Sequence, residues 1–553
     1  MSTFAVGLVQ VGLLVLALAV VHRPFGDHMA RAYTDDRHWR VERWLYRLLR
    51  VDGDSGQRWS TYAAAVLGFS FVSVALLYLL QRLQALLPLN FGRSAVEPAM
   101  AFNTAVSFVT NTNWQSYVPE QVLGHAVQVA GLTVQNFLSA AVGMAVAVAL
   151  VRGFSGSGTD RIGNFWVDLT RGVVRILLPV AAVAAVLLVA LGAVMSFAPG
   201  LQAVGLDGQP HAIATAPVAS QEAIKVLGTN GGGVLNANSA HPFSNPGGLS
   251  NLLQVFLILL IPVCLTRTFG TMVGDRRQGR ALLSVMGGLL AAMLAIAWWA
   301  EAHPNGPAAL AAGASMEGKE ARFGTYLSGL FAVVTTGTST GAVNSAHDSL
   351  SGLGGGAALL NMLLGEVAPG GAGAGLYGIL VLAVIAVFLA GLMVGRTPEY
   401  LGKKLGRREI TAAALSILVM PTLVLLGAGT AIALPATSAA MGNSGAHGLS
   451  EVLYAYASAA NNNGSAFAGL TATGDFFQVT LALAMLFGRF VPIMAVLMLA
   501  GALARQRRVP ATAGTLPTTG PLFAGLLTGT VVLVAALTFL PALALGPIAE
   551  ALA

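Results

Sequence analysis

Long apolar runs alternate with short polar interruptions along the whole chain. Ten runs, each of about 20 residues, lie near 4–22, 61–81, 125–151, 172–198, 249–273, 281–300, 373–395, 410–434, 477–503 and 519–545. Each is long enough to cross roughly 30 Å of hydrocarbon as a helix. After runs 2, 4, 6 and 8 the pattern changes. A semi-apolar stretch of about 8 to 12 residues, too short to span but suited to a re-entrant helix, precedes a polar patch and the next run. The pattern predicts an all-α polytopic membrane protein with ten transmembrane helices.

The four interruptions read "AFNTAVSFVTNTNWQSY" at 101–117, "SQEAIKVLGTNGGGVLNANSAH" at 220–241, "YLSGLFAVVTTGTSTGAVNSAHD" at 326–348 and "SEVLYAYASAANNNGSAFAGL" at 450–470. Asn113, Gly231, Gly341 and Gly464 occupy comparable places, which marks an internal repeat. The expected organisation is a first helix with a basic loop (1–60), four repeats (61–151, 172–274, 280–396 and 410–504) and a last helix (519–553). The repeats are expected around a pseudo-fourfold axis, with one extra helix at each end.

Composition agrees: 55% of residues are hydrophobic and 10% charged, which excludes an ordinary soluble domain. The net charge of +7 is a matter of topology rather than nucleic-acid binding. The loops after runs 1, 3, 5, 7 and 9, with the run ends that flank them, carry 24 of the 30 Lys and Arg residues. The positive-inside rule predicts those loops in the cytoplasm and both termini outside. The first run has no basic residue before it and no convincing cleavage site, so it is expected to be retained. The lone Cys264 excludes a disulfide framework and a cysteine metal site.

The second and fourth short helices are expected to start at Ser220 and Ser450, with Glu222 and Glu451 in their first turns, and all four to aim their carbonyl ends at the membrane interior. Irregular backbone at that depth must be buried in protein or line a watery path. Glycine allows the turn and the close approach of four strands. Carbonyl rings replace the hydration shell of potassium. Calcium or magnesium would recruit carboxylates, and the patches hold none. A monovalent cation site is therefore expected, with no transition metal. His241 and His347, in the paired Ser-Ala-His motifs, are expected to be hydrogen-bonding or capping residues.

"TNTNWQSY", "LGTNGGGVLNANSAHPFSNP", "TTGTSTGAVNSAHDSL", "GEVAPGG", "GRTPEYLGKK" and "NNNGSAFAGL" together resemble the potassium-binding A subunit family of Kdp-type potassium-transporting ATPases. The resemblance covers essentially the whole chain. It implies a selectivity filter at Thr112 and Asn113; Thr229, Asn230 and Gly231; Ser339, Thr340 and Gly341; and Asn462, Asn463 and Gly464, with Gln115 beside it. It also implies a P-type ATPase B subunit, a C subunit and a small single-span F subunit as partners, in a bacterial inner membrane. In that scheme this chain is a non-catalytic translocating subunit without a cofactor of its own. ATP and Mg²⁺ are expected on the partner, and potassium is expected to leave sideways into it. The residues agree on one point: no Walker A loop and no Asp-Lys-Thr-Gly-Thr motif is present.

Two rivals remain at this stage. A self-sufficient channel or cation symporter of the same four-repeat superfamily would need no ATPase, and a multispan membrane enzyme would need a catalytic constellation that the sequence does not offer. Arg489 inside run 9 is costly there and marks a functional site. Its expected partner is Glu366, below the filter. Lys225 is expected to snorkel outward, with anchoring through Glu222 as the alternative. Residues 31–50 suit an interfacial helix on anionic lipid. The Gly-rich stretch 351–375 is the expected gate.

Overall fold

The computed structural model describes residues 3–303, 315–510 and 514–552 and is almost entirely helical. Among the described residues, ten helices are long and apolar enough to cross a membrane. Spans 1 to 5 are Thr3–Thr34, Trp59–Arg82, Val127–Ser155, Phe165–Ala190 and Gly248–Met272. Spans 6 to 10 are Arg276–Ala302, Ala374–Met393, Arg407–Ala433, Asp475–Arg505 and Pro521–Leu552. Each overlaps one apolar run. The boundaries follow caps rather than hydropathy. Span 4 starts at Phe165 because the Asn164 side chain accepts from the Trp166 N–H at 3.1 Å.

Four short helices lie where the pattern changes: Pro98–Val109, Val218–Leu227, Gly324–Gly337 and Gly445–Asn461, here called pore helices 1 to 4. Two expected caps are displaced. Pore helix 2 begins after Pro217, and Ser220 lies inside it, its Oγ donating to Pro217 O at 3.0 Å. Pore helix 4 begins after Ser444, and Ser450 donates back to Ala446 O at 3.0 Å. Glu222 and Glu451 thus sit past the first turn, where each is buried.

Repeat 3 has an additional apolar helix, Gly352–Leu363, before span 7. It is capped by Ser351, whose Oγ accepts from Gly354 N at 3.1 Å. Burial sorts the spans into layers. The apolar window of span 3 is 83% buried against 11% for span 1 and 17% for span 8, which puts span 3 at the centre and the other two at the rim. An antiparallel hairpin, Leu201–Val204 with Pro210–Ile213, lies between span 4 and pore helix 2.

On the basic face, residues 31–34 continue span 1, and the amphipathic helix is confined to Arg40–Leu49. Its Glu42 is buried and accepts from Arg175 Nε at 2.5 Å and Nη2 at 2.7 Å. Trp44 and Leu48 stay exposed on it.

Candidate ion-binding site

Each pore helix ends in the same backbone turn. Thr112 N donates to Ser107 O, Asn230 N to Lys225 O, Thr340 N to Thr335 O and Asn463 N to Ser458 O, at 2.8 to 3.1 Å. All four bonds reach back five residues, and they set the register between repeats. One step earlier stand Asn111, Thr229, Ser339 and Asn462, all with positive φ between 51 and 69°. One step later stand Asn113, Gly231, Gly341 and Gly464. Asn111 is therefore the equivalent of Thr229, Ser339 and Asn462, a position that the two-residue first patch, Thr112 and Asn113, leaves out.

The four turns meet at one centre. A Cβ placed on Gly231 would lie 2.8 Å from Thr340 O, 2.9 Å from Thr112 O and 3.1 Å from Asn463 O. Those are main-chain carbonyls from the other three repeats, all at the equivalent middle position. A Cβ on Gly464 would meet Thr112 O, and one on Gly341 would meet Asn463 O. Side chains are excluded here because oxygens already converge on the space, which is why glycine stands in three of the four repeats. Neutral oxygens around a narrow centre suit a desolvated monovalent cation.

Hydrogen bonds within and across the repeats hold the ring from behind. Asn111 Nδ2 donates to Thr229 O at 2.8 Å, and Ser139 Oγ donates to Asn111 Oδ1 at 2.7 Å. Ser339 Oγ donates to Asn462 O at 3.1 Å, while Asn462 Nδ2 donates to Thr112 Oγ1 at 3.0 Å. Asn113 Nδ2 donates to Asn136 Oδ1 at 2.7 Å. Gln115 Oε1 accepts from Gly233 N at 2.8 Å, so the residue beside the first patch fixes the second.

Lys225 does not reach outward. It is fully buried, 2.7 Å from Glu222 Oε2, and donates to Asn238 Oδ1 at 2.7 Å. Asn238 Nδ2 in turn donates to Gly231 O at 2.8 Å. The anchoring alternative holds because a carboxylate and two hydroxyl or amide oxygens surround the ammonium in place of water. His241 accepts from Phe243 N at 3.1 Å, and His347 Nδ1 lies 2.8 Å from the Tyr454 hydroxyl.

Glu366 and Arg489 do not form a direct ion pair among the described residues. Asn463 Nδ2 donates to Glu366 Oε1 at 2.7 Å, whereas Arg489 Nη2 donates to Ser139 O at 3.4 Å. The asparagine of the ring claims the carboxylate first. Both residues line one cavity of about 140 Å³ with Ser339, Asn461 and Asn462. The volume admits several waters. The cavity runs on between spans 7, 8, 9 and 10, past Val381, Met420, Val531 and Ala535. The stretch after Gly352–Leu363 folds beneath the ring: Gly370 N donates to Gly337 O at 2.8 Å and Ala372 N to Thr229 Oγ1 at 2.9 Å.

Ten spans, four re-entrant loops and a shared carbonyl centre define a four-repeat membrane protein of the cation-transporter class. The chain belongs to the potassium-transporting ATPase A subunit family, whose model matches residues 12–552. It is 66% identical over 551 residues to a potassium-transporting ATPase potassium-binding subunit of Nocardia farcinica, covering 98% of each chain. It is 60% identical over 554 residues to the subunit of that name in Streptomyces coelicolor, covering 100% of each. The fold is similar to the crystal structure of the potassium transporter TrkH from Vibrio parahaemolyticus, with a TM-score of 0.54 and 15% identity, covering 89% of this chain and 96% of that one.

Proposed function

We propose that this chain is the potassium-binding and ion-selecting subunit of an ATP-driven uptake pump. Potassium approaches from the face opposite the basic loops and sheds water at the ring. It passes Thr112, Asn230, Thr340 and Asn463 and enters the cavity beside Glu366 and Arg489. From there it moves sideways, between spans 7 to 10, toward a P-type ATPase partner that carries ATP and Mg²⁺. C and F subunits complete the assembly. The basic loops face the cytoplasm of a bacterial inner membrane. The stretch beneath the ring is the barrier that keeps a pump from becoming an open pore.

One observation carries this reading: three carbonyls from three repeats lie within 3.1 Å of the space above Gly231 Cα in the fourth. The family relatives named above, called potassium-binding subunits, support the choice of ion and the ATPase partner.

The test is Gly231→Asp in the assembled complex. A carboxylate in the ring is expected to raise the half-saturating potassium concentration at least about tenfold and to weaken discrimination against rubidium, since a field-strength change alters both. Unaltered affinity and selectivity would remove the ring from the ion path. Potassium uptake by the purified chain alone, without ATP, would instead identify a stand-alone channel or symporter.

A further inference from the structure

Behind the ring, on the face that carries the pore-helix starts, three ligand-bearing side chains converge from distant parts of the chain. Asp348 follows the third loop, and His447 and Glu451 lie one turn apart on pore helix 4. One ligand atom from each lies within 4.8 Å of the others. His447 Nε2 is 3.2 Å from Asp348 Oδ1, and its Nδ1 is 2.9 Å from Glu550 Oε1. Among the described residues, no lysine or arginine pairs with any of these three carboxylates. Glu451 is fully buried, held by Gly442 N at 3.0 Å and Asn443 Nδ2 at 2.7 Å.

A second observation is independent of the charges. A Cβ on Gly469 would collide with Glu451 Oε1 and lie 2.8 Å from Asp348 Oδ2. Glycine leaves open the space into which both carboxylates point. Phe467 stacks on the imidazole, centroids 5.7 Å apart and planes 13° apart, and fixes the ring plane.

We propose that Asp348, His447 and Glu451 form a binding site for a divalent transition metal of the zinc class, with Glu550 as the residue that orients the imidazole. An imidazole with two carboxylates suits zinc and its neighbours better than calcium or magnesium, which take oxygen alone. Three protein ligands leave a fourth position for water. Its edge reaches the surface, with the Asp348 and His447 side chains 19% and 20% exposed. Glu550 accepts from Nδ1–H and so turns the Nε2 lone pair toward the metal, as orienting carboxylates do in zinc sites. Bond lengths of about 2.0–2.2 Å require donors that now lie up to 4.8 Å apart to close on the metal, so binding draws the third loop and pore helix 4 together.

The metal would tie the third loop to pore helix 4. Tyr454, three residues beyond Glu451, shares its hydroxyl with Ser465 Oγ at 2.8 Å, and Ser465 Oγ donates to Asn463 Oδ1 at 2.6 Å. Occupancy is thus connected to the wall of the ring.

The experiment uses the purified assembled complex, stripped with chelator and titrated with ZnCl₂. Wild type is expected to retain one zinc ion per chain after dialysis. Its X-ray absorption spectrum is expected to show one imidazole among oxygen donors. His447→Gln and Asp348→Asn are expected to bind at least about tenfold more weakly. Zinc retention equal in wild type and Asp348→Asn, or a wild-type spectrum without imidazole, overturns the proposal. The wild-type spectrum decides the matter even if His447→Gln does not assemble.

Discussion

At Asn111 one carboxamide serves two repeats: its nitrogen donates to Thr229 O of the next loop, and its oxygen accepts from Ser139. Removing one partner of a buried hydrogen bond costs about 1–3 kcal/mol, felt here by the Thr229 carbonyl, one residue before Asn230 of the ring. Asn111→Ala is expected to weaken potassium affinity on the order of tenfold while the complex still assembles; an unchanged half-saturating concentration would show that the bond does not shape the ring. Aligning Asn113 with the three glycines already places Asn111 opposite Thr229, Ser339 and Asn462, but the family resemblance supplied only Thr112 and Asn113 for the first repeat. The backbone bonds five residues back bear out that register. Gly231, Gly341 and Gly464 stood out from the chain because close approach of oxygens admits no other side chain.

The helices show where pattern is informative and where it stops. A membrane requires every backbone group to be satisfied within its own segment, so ten spans follow from hydropathy alone. Pore-helix starts do not: Ser220 and Ser450 carry cap chemistry, yet Pro217 and Ser444 precede the first turns. Lys225 reads as a snorkelling residue until Glu222, Asn238 and Ser239 are found around it, the last two from beyond the loop. Lys225→Met would strand a buried carboxylate at a cost of about 3–5 kcal/mol. The expected result is a complex that unfolds well below the wild-type temperature, with Lys225→Arg less affected; equal melting of Lys225→Met and wild type would refute the anchor.

On the basic face, Lys403 packs between two strands of loop and donates to Gly156 O at 2.6 Å and Gln506 O at 2.7 Å. Burial, then the Arg508 charge, lowers its ammonium from 10.5 to about 8. The unfolded chain keeps that proton longer, so between these values unfolding takes up protons and stability rises with pH. The penalty of the buried charge is present below about 8 and relieved above it. Across pH 8 to 10, wild type should gain thermal stability relative to Lys403→Met; parallel curves would show that the buried ammonium is not the cause.

At the scale of the whole molecule, the ring and the cavity divide the work. The ring is built from four repeats, whereas the cavity is walled by spans 7 to 10. That asymmetry is what the proposed sideways path rests on. A fourfold channel would continue along its axis, but here the stretch from Leu364 to Gly373 crosses below it, bonded to Gly337 and Thr229. Ala535 lines the cavity on span 10 and is 3% exposed. A tryptophan there fills space on the proposed lateral path without touching Thr112, Asn230, Thr340 or Asn463. Ala535→Trp is expected to cut the maximal rate of potassium uptake by the assembled complex at least about tenfold while the half-saturating concentration stays near wild type, because uniform binding at the ring is untouched. If the maximal rate is preserved, the ion does not travel through this cavity and must cross the barrier beneath the ring.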